Sequence, residues 1–172
     1  MTPLEVRPVS TRADAATFLR LPAALGGEAA GWSVPLEFDT RRFFDPKRNG
    51  VLQDHAATRF LAWRNGRPVG RIACGWRREG ARDGVGTFGF LASERDPETL
   101  AALLRSAGEW LSAQGGRRMR GPLSLTINHE AGALVEGFGR PDMVRMPRTP
   151  PGCRRCWRAP ACNRNATCSP AR

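Results

Sequence analysis

The 172-residue chain contains no tyrosine and only two histidines, His55 and His129. Chemistry that needs a tyrosine acid or a cluster of histidine ligands has no residues to use. No stretch approaches the ~18 apolar residues that a membrane-crossing helix requires. The opening residues, MTPLEVRPVSTRADAATFLRL, lack the basic start and apolar run of a secretory signal. The expected location is therefore the cytoplasm, where thiols stay reduced and disulfides are not expected. Acidic residues are scarce, 16 against 27 lysines and arginines, for a net charge of +11. Six arginines and no acid lie from Arg148 onward, which leaves +5 on the rest. Charge divided in this way argues little for a nucleic-acid partner, and none is expected.

Cysteine is scarce as well, except at one end. Cys74 stands alone, whereas Cys153, Cys156, Cys162 and Cys168 crowd the last 22 residues, PGCRRCWRAPACNRNATCSPAR. Beyond Met146 there is no Leu, Ile, Val, Phe or Met. Such a segment cannot build a core, and three readings compete. Four thiolates could bind zinc tetrahedrally, although a second Cys-x-x-Cys knuckle is missing. The tail could be native and unstructured. The third reading is that it is GC-rich coding sequence translated out of frame, and the genetic code bears on this. Shifting the frame one base upstream turns every Cys or Trp codon into N-T-G, which encodes Leu, Met or Val. Cys153, Cys156 and Trp157 then become apolar at i, i+3 and i+4, a helical stripe. The expected organisation is one domain over residues 1–147 and a disordered, out-of-frame tail over 148–172, with no metal site.

Between these ends the pattern alternates strand and helix signals. PLEVRPVS reads as a short strand through Leu4 and Val6. Thr11-Arg12-Ala13-Asp14 reads as a capping box that opens a helix through Phe18 and Leu19, with Pro22 as its limit. Residues 23–55 read as irregular, anchored by Trp32 to Leu36 and by Phe43-Phe44. The runs around Asn65-Gly66 form a hairpin, because both turn centres tolerate positive φ. Its apolar positions are Phe60, Ala62, Val69 and Ile72. GTFGFLA reads as another strand. Asp96-Pro97-Glu98 opens a helix in which Leu100, Leu103, Leu104, Ala107, Trp110 and Leu111 share one face, and Gly115-Gly116 ends it. RRMRGPLSLTI follows as a strand, and Ala131 to Phe138 as a short helix or turn.

The stretches WSVPL, DPKRNG, FLAWRNGRPVGRIA, FGFLAS, RGPLSLTINHEAG and EGFGRPDMVRMP cover most of residues 4 to 151. In them the chain resembles a bacterial subgroup of the GNAT (GCN5-related) N-acetyltransferase superfamily. The resemblance implies an α+β fold: a mixed, mostly antiparallel sheet flanked by helices, with its C-terminal part missing here. It implies N-acyl transfer from acetyl-CoA or another acyl-CoA to a small-molecule amine, weak or absent in this truncated form. The donor's pantetheine would lie along Phe88, Gly89, Phe90 and Leu91. Its pyrophosphate would sit at Ser93 to Glu98, near Arg95. At that turn the chain departs from the family's glycine-rich loop and reads ASERDPE. Glu94, Asp96 and Glu98 there suit a helix cap better than a phosphate. The family's Asn-Pro-Pro-Tyr-Tyr stretch is matched only as far as Pro150-Pro151.

Acyl transfer to an amine needs a base, and Asn128, His129 and Glu130 follow a predicted strand where site residues gather. Glu130 or His129 is the candidate base. The plain alternative is a turn capped by Asn128 and Glu130. His55 reads as a loop or surface histidine, and Cys74 as a small core residue. The alternative function from another class is a basic nucleic-acid-binding module with a four-cysteine zinc tail.

Overall fold

The computed structural model describes residues 3–25, 37–78, 83–126, 129–133 and 136, together with the backbone of 167 and 168. The elements are β1 (Leu4–Pro8), α1 (Arg12–Ala24), α2 (Glu37–Phe43), α3 (Val51–Asp54), β2 (His55–Arg64), β3 (Arg67–Arg77), β4 (Val85–Ser93), α4 (Pro97–Ala113), β5 (Arg118–Arg120) and β6 (Thr167–Cys168). The strands lie in the order β1-β2-β3-β4-β5-β6. All neighbours are antiparallel except β4 and β5, which run parallel with α4 as their crossover. This is the expected α+β, mostly antiparallel sheet with helices on both faces.

Local signals explain most elements. Thr11 Oγ1 accepts from Asp14 N at 3.0 Å while Asp14 Oδ2 accepts from Thr11 N at 3.1 Å, a closed capping box. Asn65 and Gly66 adopt φ of 53° and 70°, and the hairpin of β2 and β3 turns there. Phe60 opposite Ile72 and Ala62 opposite Gly70 send the predicted apolar positions to one face. There they meet Leu100, Leu103, Leu104, Ala107 and Leu111 of α4, together with Phe88 and Met119. Each leucine removed from water in this layer is worth about 2 kcal/mol.

The opposite face carries a smaller core of Phe18, Leu21, Leu61 and Ala73, with Phe44, Trp63 and Phe90 packed against it. Two expectations are corrected on this side. Pro22 does not limit α1 but lies inside it. The stretch 23–55, read as irregular, contains α2 and α3. The strand read from RRMRGPLSLTI is shorter too, only Arg118–Arg120, because past Gly121 the chain stays against β4 through the Leu123 N to Phe88 O bond but pairs mainly with its own return. Trp32 to Leu36, half of 131–138 and the tail beyond Met146, apart from the two backbone residues of β6, lie outside the described residues.

Candidate active site

Two parallel strands part at the centre of the sheet. Val85, Gly86 and Thr87 pair with Arg118, Met119 and Arg120, and the pairing then stops. Leu123 N still donates to Phe88 O at 2.6 Å, and beyond it the chain folds back on itself. Ser124 N donates to Glu130 O at 2.8 Å, and Gly132 N donates to Pro122 O at 2.9 Å. This return carries His129 and Glu130 to the mouth of the split. Gly89 permits the approach: a Cβ there would stand 2.6 Å from Leu123 O.

Strand β4 is bulged at the same level. Arg71 pairs with Ala92 and Ala73 with Gly89, so two steps on β3 span three on β4. Phe90 absorbs the extra residue with φ of 50°. The bulge turns its ring to the α1 face, whereas Phe88 points into the α4 core. Phe90 there meets Phe43 and Phe44 at ring separations of 5.0 and 4.9 Å. Phe43 in turn stands 4.4 Å, edge-on, from the His129 ring.

Charged groups flank this aromatic wall. The Arg71 side chain is buried, with Cζ 4.9 Å from the Phe18 ring centroid and 6.0 Å from that of Phe90. Burial pulls its guanidinium down to about 9 and the Glu130 charge acts the other way, so it is cationic at neutral pH. Arg59, on the same face, lies over Phe44 at 4.7 Å and is also lowered by burial. Glu130 is half-buried. Loss of water raises its carboxyl above the ordinary range, and the Arg71 charge opposes that rise. His129 Nδ1 and Thr126 Oγ1 are 2.9 Å apart, which fixes the imidazole beside the split.

At the far end of β4, α4 begins. Asp96 caps it, its Oδ1 accepting from Glu98 N and its Oδ2 from Thr99 N, both at 3.2 Å. Arg64 reaches across from β2, with Nη1 3.1 Å from Glu94 Oε1 and Nη2 2.6 Å from Asp96 Oδ2 and 3.1 Å from Glu98 Oε2. Burial works against an ionised Asp96, but the Arg64 and Thr99 hydrogen bonds outweigh it and draw the carboxyl down to about 2.

The fold has counterparts among solved structures. A tandem GNAT protein from the clavulanic acid biosynthesis pathway matches with a TM-score of 0.53, at 21% identity, over 68% of this chain and 35% of that one. The chain has the GNAT fold. Among curated proteins, the bacterial ceramide synthase of Caulobacter vibrioides is 41% identical over 154 residues, which is 86% of this chain and 39% of that protein. Protein YghO of Escherichia coli is 33% identical over 150 residues, 85% of this chain and 38% of its own length. The chain thus spans about two fifths of the length of both relatives. No protein-family model matches.

Within the GNAT fold the residues expected to hold a donor separate into two groups. Phe90 stands at the split on the bulge and is partly exposed, whereas Gly89 is buried against Leu123. Phe88 is buried in the α4 core with its carbonyl bonded by Leu123 N, and Leu91 packs partly against the same core. The α4 start does not fit a pyrophosphate. The Glu98 and Thr99 amides already bond Asp96, Pro97 has none, and three carboxylates share Arg64. Arg95 is exposed and joins none of the ion pairs among the described residues.

Of the candidate catalytic residues, His129 and Glu130 sit together at the split, and Asn128 lies outside the described residues. Sequence reasoning did not find Arg71 or Arg59. Their signal was a cation repeated on one face of two strands otherwise rich in apolar residues, in TRFLAW and VGRIAC. His55 is half-buried, its Nδ1 3.0 Å from Val51 O at the end of α3. Cys74 is buried in the α4 core, and burial pushes its thiol far up, out of reach of nucleophilic use. Among the described residues no group of three or more His, Cys, Asp or Glu is placed to hold a metal. None of the helices among them is long and apolar enough to cross a membrane.

Proposed function

We propose that the chain carries the acyl-transfer centre of an N-acyltransferase that joins a long-chain acyl group to an amine, with Glu130 as the base. The observation that carries this reading is the half-buried Glu130 at the mouth of the β4–β5 split, electrostatically coupled to Arg71. The name of the Caulobacter relative, ceramide synthase, supports a choice of substrate: a ceramide is an N-acylated long-chain amino alcohol. The aromatic wall of Phe43, Phe44 and Phe90 supports an apolar substrate in the same place.

In this reading the neutral amine attacks the thioester carbonyl. The C–N bond forms, and Glu130 takes the amine proton. The C–S bond then breaks, and the proton passes from Glu130 to the departing thiolate, which restores the carboxylate. Desolvation makes Glu130 a stronger base than a surface carboxylate, and Arg71 keeps it from being neutralised at working pH. His129, held by Thr126 and Phe43, borders the path of the acceptor.

The test is the steady-state acylation of a long-chain amino alcohol by an acyl thioester, with amide product measured for wild type, Glu130→Gln and Glu130→Asp. A general base supplies about 10²- to 10⁴-fold. Glu130→Gln should lose an amount in that range, and Glu130→Asp should retain part of the rate. Wild-type turnover by Glu130→Gln would remove Glu130 from the mechanism.

A further inference from the structure

The start of α4 is chemically closed, and this bears on what kind of donor the split accepts. A helix start binds a phosphate when its first amides are free and its surroundings are neutral or cationic. Here the amides of Glu98 and Thr99 are bonded to Asp96. The Thr99 hydroxyl is taken as well, 3.0 Å from Glu94 Oε1 and 2.8 Å from Asp96 Oδ2, and the residue is fully buried. The nearby cation Arg64 is shared by Glu94, Asp96 and Glu98. A diphosphate arriving at this turn would meet an excess of negative charge and would have to break a network already satisfied.

We infer that the site recognises its acyl donor as an acylated pantetheine thioester, and that the nucleotide diphosphate of a coenzyme makes no productive contact at the α4 start. The inference rests on the N-acyltransferase reading above and narrows its donor. The specificity lies in the residues that close the turn: Asp96 occupies the amides, and Arg64 is held by the acids. The thioester end approaches β4 at Phe90, where the strand is bulged and partly exposed, next to the buried Gly89. The same pantetheine chemistry is presented by a free acyl-coenzyme and by an acylated carrier protein, and both are admissible donors.

Two measurements test this without the amine, so that they do not depend on turnover. Backbone NMR of the full chain is recorded during titration with 3′-phospho-ADP, with acyl-pantetheine and with acyl-CoA. Acyl-pantetheine and acyl-CoA should bind with affinities within about threefold of each other, since one retained charge-assisted bond to a phosphate would already be worth about tenfold. Both should shift the amides of Gly89 and Phe90. 3′-Phospho-ADP should leave the Glu98 and Thr99 amides unmoved. An acyl-CoA affinity many-fold above that of acyl-pantetheine, with shifts at Glu98 and Thr99, would overturn the inference. So would a failure of acyl-pantetheine to bind at all.

Steady-state rates with the amine then separate the two ideas. Amide formation from acyl-CoA but not from acyl-pantetheine sinks this inference and leaves the N-acyltransferase reading standing. Binding of both donors without amide formation sinks that reading alone. A third arm, an acylated carrier protein, distinguishes the sources: a KM well below that of acyl-pantetheine identifies the carrier protein as the preferred one.

Discussion

Arg71 Nη1 donates to Phe18 O at 2.6 Å. Phe18 is four residues before Pro22, the proline inside α1, and a proline has no N–H to give to that carbonyl. A buried guanidinium from β3 supplies the missing donor. The same cation lies against Phe18 and Phe90 and faces Glu130 electrostatically. One side chain therefore closes the hydrogen-bond pattern of α1, fastens that helix to the sheet and sets the charge beside the candidate base.

This relationship predicts a thermodynamic coupling between positions 71 and 22. Arg71→Met leaves the Phe18 carbonyl unpaired and Glu130 without its compensating charge, at a cost of about 2–4 kcal/mol. Pro22→Ala restores the helical N–H. In that background the cost of Arg71→Met should fall, because the carbonyl has its local donor again. Urea unfolding of the four proteins measures the coupling, and strictly additive costs would mean that the two residues do not share the carbonyl.

The Glu130 carboxyl predicts opposite effects on activity and stability. Its folded pKa lies above its unfolded value, so this group binds protons more readily in the folded state. The stability it contributes is complete below the unfolded pKa and is lost as pH rises through the folded value. Glu130→Gln, which stays neutral, should therefore be at least as stable as wild type at pH 7 while losing activity. In wild type the acid limb of the pH–rate profile should lie above the ordinary carboxylate range, and in Arg71→Met it should move higher still. A limb unmoved by that substitution would separate Arg71 from the base.

Asp96 carries the reverse sign. Its folded pKa of about 2 lies below its unfolded value. The stability it adds is present above the unfolded pKa and is lost as pH falls toward 2. Asp96→Ala should cost about 1 kcal/mol as a lost helix cap, and somewhat more through the freed Arg64. Asp96→Asn should recover most of the cap and little of the ion pair. Thermal melts at pH 7 and pH 3 check the sign, since the gap between wild type and Asp96→Ala should narrow in acid.

Gly89→Ala should damage the site through the backbone alone. The new Cβ has to push Leu123 O away from β4, an overpacking cost of about 1–3 kcal/mol. The Leu123 N to Phe88 O bond carries the displacement toward the return that holds His129 and Glu130. Acylation should fall by more than the lost stability accounts for. A variant with wild-type rate and unfolding would show that the split does not depend on this approach.

Sequence alone determined the parts of this protein that are fixed over a few residues. Asn65-Gly66 specifies a hairpin, because positive φ at both turn centres is a property of the two residues themselves. Asp96-Pro97 and the leucine face after them specify α4 and its buried side, because the contacts recur within one turn of helix. The acids at that start already stood against a phosphate, since a cap acts within its own first turn. The α+β order was legible for the same reason. The tertiary structure decided the rest. Pro22 reads locally as the end of a helix, and only a guanidinium from another element allows the helix to continue. Arg71 reads locally as one more cation in a strand. It becomes part of a site because sheet pairing and the return through Leu123 bring it within electrostatic range of Glu130, and no short-range pattern encodes a coupling between residues so far apart in the chain. Phe90 lines the site instead of joining the α4 core because the bulge against β3 reverses its face, an event set by the register of two strands and invisible in either one alone.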